Sequence, residues 1–228
     1  MIDVKKNLED IVQRIEKAKE RAGRTDQVHL LAVTKTIDYD LIDQSIDWGV
    51  SHVGENKVQD ILKRMDHYGD RLKYHFIGSL QRNKVKDIVG KVELIHSVDS
   101  LRLAKEIDKR AKNADLIQPC LLQVNVSKEE SKSGVYLEEL EEFVYNVLKL
   151  DNIKIRGFMT MAPFDASEEE LRKYFGSLRD AFNKYNKEVP GLEMEYLSMG
   201  MTHDFEIAIE EGANIVRVGS GIYGERNY

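Results

Sequence analysis

The sequence predicts an α/β protein: a single (β/α)8 barrel over residues 1–228 with one extra helix in front. Three observations carry this. Short apolar, β-branched runs alternate with helical periodicities along the chain, the pattern of βαβ units around a parallel sheet. Eight such runs fit into 228 residues, the count that closes a barrel. The last two strand-to-helix turns, Ser198-Met199-Gly200-Met201-Thr202 and Gly219-Ser220-Gly221-Ile222-Tyr223-Gly224, are rich in glycine and hydroxyl groups. Barrels of this kind hold phosphate there. A doubly wound open sheet shares the alternation, but no GxGxxG follows the first strand.

Residues 2–22 carry apolar side chains at helical spacing, and Gly23 ends that helix. Strand one, 28–35, is a nearly continuous apolar run, as expected of a strand covered on both faces, and it closes on Lys35. A helix over 38–48 stops at Gly49. Strand two is short, 52–54, and reaches Glu55 and Asn56; helix 57–67 follows. Strand three is 74–78 with a helix near 81–89, and strand four is 92–97 with a helix to about 113, capped by Asp99 or Ser100. Strand five, 120–126, leads into a polar loop, 127–134, and an amphipathic helix to about 149. The loop reads as solvated, with a lid as the rival reading. Strand six is 153–160. Helix 167–187 follows, with Ser167 as N-cap and Leu171, Phe175, Leu178 and Phe182 as its buried stripe. Strand seven is 194–198, with a helix near 203–211, and strand eight is 215–219.

Composition narrows the function. A net charge of −6 and no long lysine/arginine run argue against a protein that binds nucleic acid by neutralising phosphates. No apolar run approaches bilayer length, and the charged N-terminus is unlike a signal peptide. The single cysteine, Cys120, allows no intramolecular disulfide and suits a reducing compartment, so a cytoplasmic protein is expected. The six histidines show no HxH, HExxH or i,i+4 pairing, which disfavours a zinc hydrolase; His75 and His96 are expected to be core histidines. No GxSxG elbow or P-loop is present.

In a barrel the chemistry gathers at the C-terminal ends of the strands. Lys35 is there. It is either a lysine whose stem packs while its ammonium meets water, or a Schiff-base lysine whose amine is freed by desolvation. The glycine–serine turns after strands seven and eight are either ordinary turns or an anion cradle of backbone N–H and hydroxyl donors. Arg217 interrupts an apolar strand, and a buried arginine needs partners. It is either ion-paired with a barrel carboxylate such as Glu55 or a donor to a ring nitrogen or oxyanion in the pocket. An aldehyde for Lys35, a phosphate and an acceptor atom for Arg217 are all found in pyridoxal 5′-phosphate (PLP).

The stretches 32–36 (AVTKT), 54–56 (GEN), 75–84 (HFIGSLQRNK), 123–127 (QVNVS), 132–134 (KSG), 157–161 (GFMTM), 198–201 (SMGM) and 217–224 (RVGSGIYG) occur in that order. With them the chain resembles the YggS/PROSC family of PLP homeostasis proteins over nearly its whole length. The resemblance implies a fold similar to the N-terminal barrel of alanine racemase, with PLP as an internal aldimine on Lys35. It further implies that Ser198, Gly219 and Ser220 hold the phosphate, that Arg217 faces the pyridine nitrogen, and that Asn56 and Met159 line the ring. An arginine beside that nitrogen disfavours its protonation and weakens the ring as an electron sink. The implied role is a carrier that sequesters or delivers PLP without robust catalysis, expected to be a monomer, with apo forms of PLP-dependent enzymes as candidate partners. Alanine racemase uses a tyrosine from a second, β-rich domain, which this sequence is not expected to supply; Tyr223, in the phosphate loop, is a poor substitute. An amino-acid racemase remains the alternative. A class I aldolase is the weaker one, because such enzymes place their lysine near strand six, which here ends in Met159-Thr160.

Overall fold

A computed structural model describes residues 2–225. Eight parallel strands close into a barrel: β1 His29–Val33, β2 His52–Glu55, β3 Lys73–Phe76, β4 Leu94–Val98, β5 Gln118–Gln123, β6 Ile153–Met159, β7 Tyr196–Ser198 and β8 Ile215–Val218. Each strand pairs with the next, and β8 returns to β1 with Leu31 opposite Arg217. The predicted fold class is therefore borne out.

The helices are α1 Val4–Arg21, α2 Tyr39–Asp47, α3 Val58–Tyr68, α4 Val85–Ile88, α5 Leu101–Asn113, α6 Leu140–Val147, α7 Glu168–Glu188, α8 Phe205–Glu210 and α9 Ser220–Tyr223. Local chemistry sets several ends. Asp3 accepts from the Lys6 N–H to start α1, and Ser167 with Glu170 forms a full capping box on α7. The helix expected near 81–89 is only a 3-10 turn, Arg82–Lys84, followed by the single turn of α4. The one-turn α9 lies in what the sequence presented as a glycine-rich loop.

Strand alternation separates two interiors. Outward side chains such as Ala32, Val53, Ile95, Leu122, Phe158, Leu197 and Val216 join the helices in the main core. Inward ones form a small apolar layer, Leu31, Leu94, Leu121, Met159 and Ile215, with Ile77 and Tyr196 against it. The rest of the barrel interior is polar: His75, His96, Ser198 and Arg217 are all buried. Gly157 permits the close β6–β7 approach, since a Cβ there would meet the Tyr196 carbonyl oxygen at 1.8 Å. The extra helix α1 packs on α8 and α9, where Asn7 Nδ2 donates to the Ile222 carbonyl and Arg14 Nη2 pairs with Glu206 at 2.8 Å.

Candidate functional site

A cavity of about 790 Å³ opens at the C-terminal end of the barrel. Five of the seven expected site residues line it: Lys35, Asn56, Arg217, Gly219 and Ser220. They converge because inward positions two apart end at this mouth. Val33 leads to Lys35, Gly54 to Asn56, and Arg217 to Gly219.

Lys35 follows β1 in a turn closed by the Ile37 N–H to the Thr34 carbonyl at 3.1 Å. Thr36, beside it, has φ +62°, a left-handed backbone that costs a β-branched residue energy and persists only where its surroundings enforce it. They do. Buried Arg64 of α3 donates to the carbonyls of both Thr34 and Ile37, and its Nε lies 3.5 Å from Glu55 Oε1. The same Glu55 oxygen accepts from Thr34 Oγ1 at 2.7 Å. Glu55 Oε2 is buried and has no hydrogen-bond partner. Burial therefore pushes the Glu55 carboxyl above its ordinary range, against the opposing pull of Thr34 and Arg64.

Arg217 is held differently. Its Nη1 donates to Ser198 Oγ at 2.7 Å and its Nη2 to the Thr160 carbonyl at 2.8 Å. Glu55 is not its partner, contrary to the ion pair the sequence allowed. Burial lowers the guanidinium to about 10 against the Coulomb pull of Asp204.

Two expected residues are not brought to the cavity wall. Ser198 is fully buried, and its hydroxyl is engaged by Arg217 and by His96 Nδ1 at 2.9 Å. Met159 belongs to the apolar layer below. The inward series on β7 runs Tyr196, Ser198, Gly200, so Ser198 lies one step too deep. The hydroxyl of that turn which does reach the cavity is Thr202, part of the expected phosphate turn but not one of the expected site residues. Its Oγ1 lies 3.2 Å from Ser220 Oγ and accepts from the Gly221 N–H at 3.2 Å. Gly221 needs its missing side chain, since a Cβ would meet Val218 Cγ1 at 2.9 Å and Thr202 Cγ2 at 3.1 Å.

The 127–134 loop is neither free in solvent nor detached. Asn125 Nδ2 donates to the carbonyls of Glu129 and Lys132, and Gln123 Nε2 to that of Ser133. The loop is thereby folded onto the end of β5, and Ser131, Lys132 and Ser133 join the cavity wall. A second lysine at the mouth is the other residue missed. Tyr223 points elsewhere: it is buried in the outer core, its hydroxyl lies 2.9 Å from Ser45 Oγ, and burial pushes it up to about 12.

The site is thus a barrel mouth with a lysine after the first strand, an arginine on the last, and hydroxyl-bearing turns between. The family model "Alanine racemase, N-terminal domain" matches residues 7–227, and the chain belongs to that family. A relative from Aquifex aeolicus, named "Pyridoxal phosphate homeostasis protein", is 45% identical over 223 residues, 97% of each chain. Among solved structures, a protein from Bifidobacterium adolescentis superposes with TM-score 0.92 at 35% identity, covering 98% of each chain. PipY of Synechococcus elongatus, solved with PLP bound, superposes with TM-score 0.83 at 29% identity, covering 97% of this chain and 100% of that one. The resemblance read from the ordered stretches between 32 and 224 is borne out.

Proposed function

We propose that this chain binds PLP and acts in its homeostasis inside the cell, holding and delivering the cofactor without robust turnover. The observation that carries the reading is one cavity bringing together Lys35, the Arg217 guanidinium and the Thr202–Ser220 hydroxyl pair. The relatives' name and the PLP-bound neighbour support it.

The residues present fit the group. PLP supplies an aldehyde carbon, which a lysine amine takes up with loss of water. Lys35 is the anchor. Thr202, Gly219 and Ser220 would hold the phosphate. This reassigns the phosphate role expected of Ser198, whose hydroxyl is committed to Arg217 and His96. Arg217, which carries only donors, would face the pyridine nitrogen and disfavour its protonation. Asn56 lines the ring; Met159 supports the floor from the layer beneath.

A racemase needs a second proton-transfer group opposite the lysine, and Tyr223 is bonded away at Ser45. An aldolase of the class I type needs its lysine near strand six, where Thr160 instead donates to the Val124 carbonyl at 2.7 Å. We place the protein in the cytoplasm as a monomer of one domain, with PLP and apo PLP-dependent enzymes as its partners. Among the described residues no helix is long and apolar enough to cross a membrane.

The test is PLP uptake by visible absorption, then borohydride reduction and peptide mapping. A yellow protein labelled at Lys35 supports the reading; a colourless one that takes up no added PLP overturns it. Thr202→Val, which keeps the shape and removes the hydroxyl, is expected to weaken uptake by about tenfold, the loss of one hydrogen bond to a charged group.

A further inference from the structure

We infer that His52, His75 and His96 form a positioning chain that aims Arg217 at the cavity while leaving its charge unneutralised. In its consequence for the bound cofactor the inference rests on the reading above that PLP occupies this mouth.

The three imidazoles come from successive strands and run through the barrel interior. His52 Nδ1 lies 3.0 Å from His75 Nε2, and His75 Nδ1 lies 2.9 Å from His96 Nε2. His96 Nδ1 then lies 2.9 Å from Ser198 Oγ, which accepts a hydrogen bond from Arg217 Nη1. The chain joins the two ends of the molecule. His52 and His75 line a separate cavity of about 310 Å³ at the N-terminal mouth, with His29, Lys73 and Glu93; Arg217 lines the large cavity at the other.

Arg217 fixes the sense of every link. A guanidinium only donates, so Ser198 Oγ accepts from it. The Ser198 proton must then go to His96 Nδ1, because the opposite sense leaves a buried hydroxyl donor unpaired, at about 1–3 kcal/mol. His96 therefore carries its proton on Nε2 and gives it to His75 Nδ1. His75, likewise protonated on Nε2, gives to His52 Nδ1, and the half-buried His52 keeps its own Nε2 proton at the far mouth.

All three rings stay neutral. Burial, with the neighbouring cations, pushes His75 down to about 3, His96 well below its ordinary value, and His52 in the same direction. Each neutral ring then turns its lone pair toward Arg217 and its N–H away. The dipoles add, and they stabilise a buried cation in place of a counter-anion. No carboxylate lies within 4 Å of Arg217 among the described residues; Asp204 acts on it only through longer-range attraction. A carboxylate partner would cancel the charge that the cavity group is to feel. A dipole chain leaves it intact and directed.

The first experiment is long-range 15N–1H NMR of the histidine rings in PLP-free protein at pH 7. Three neutral rings protonated on Nε2 are expected. A proton on Nδ1 of His75 or His96, or an imidazolium there, overturns the chain. The second compares His75→Phe with His75→Gln in protein loaded with PLP. His75 does not touch Arg217, so mere packing loss lowers Tm without moving the visible band. Positioning predicts that His75→Phe still takes up PLP but shifts its band, and raises the pH at which the bound ring protonates. His75→Gln, which keeps one acceptor and one donor, is expected to restore the wild-type band. An unmoved band in His75→Phe refutes the positioning role. Failure of the wild type to take up PLP refutes the PLP reading instead, while the NMR result still decides the chain.

Discussion

Lys35 and Arg217 face the same cavity, yet they are supported from opposite sides of the sheet by opposite means. The Lys35 turn is gripped from outside the barrel. Arg64 reaches in from α3, binds the carbonyls on either side of the turn, and is balanced by the half-satisfied carboxylate of Glu55. Arg217 is held from inside, by a hydroxyl, a carbonyl and a file of neutral imidazoles. The difference follows from the tasks we propose. A lysine that makes and breaks a covalent bond sits on a turn, where backbone strain at Thr36 can be taken up or released. An arginine whose whole contribution is direction and charge sits within a strand, bonded at both terminal nitrogens, with no carboxylate within 4 Å among the described residues.

The largest expected effect separates the two cations outright. Lys35→Ala is expected to abolish borohydride-trapped label while leaving weaker, phosphate-anchored PLP uptake, read by peptide mapping and equilibrium dialysis. Label at full occupancy in that variant, for example at Lys132 on the same cavity wall, makes the other lysine the anchor. Next comes the outer support. Arg64→Met keeps the apolar stem but strands Glu55 in the core and frees two carbonyls. A loss of about 3–5 kcal/mol in urea unfolding is expected, from buried carbonyls left without their donor and a buried carboxyl left without its neighbour. A loss below about 1 kcal/mol would mean that the turn holds itself without Arg64.

Much of this could be read in the sequence, and what could not has physical causes. Eight strands, their order and the identity of Lys35 and Arg217 as the unusual residues followed from alternation and from charges inside apolar runs. Strand ends did not: β1 stops at Val33, because Lys35 and Thr36 leave the ladder for a turn held in part by Arg64, thirty residues away. Ser198 could not be placed from sequence, because a serine at a strand end reads alike whether it faces the cavity or the interior; one strand step decides, and Thr202 is the one that lines the cavity. The histidine chain left a signal that metal-ligand spacings could not detect. His29, His52, His75 and His96 are separated by 23, 23 and 21 residues, about one βα unit each. A period equal to the repeat of the fold places side chains at one level of the barrel, and the last three of these four link to one another.

The inner support is tested by Ser198→Ala. The hydroxyl both accepts from Arg217 and links it to His96, so its loss leaves two buried groups without a partner. The expected destabilisation is about 1–3 kcal/mol, with PLP uptake reduced through Arg217 and not through the phosphate. Inorganic phosphate competing equally well in wild type and variant supports that division. A selective loss of phosphate binding would return Ser198 to the phosphate role first expected of it.

The smallest expected effect is the most discriminating between charged and neutral support. Glu55→Gln keeps a group that can accept from Thr34 Oγ1 and removes a charge whose second oxygen is already unsatisfied. Because burial raises the Glu55 carboxyl in the folded state, the native protein binds a proton there more tightly than the unfolded chain does. Wild-type stability contributed by the protonated form is complete below the unfolded value near 4.5 and is lost as pH rises through the raised folded value. The glutamine variant has no such loss. Wild type minus variant, measured by urea unfolding across pH 4 to 8, is therefore expected to decline with pH and to end within about 1 kcal/mol of zero at neutrality. A difference that instead grows with pH would show that Arg64 outweighs desolvation, making the outer support a true ion pair. The contrast with the neutral chain behind Arg217 would then be wider than the burial of Glu55 implies.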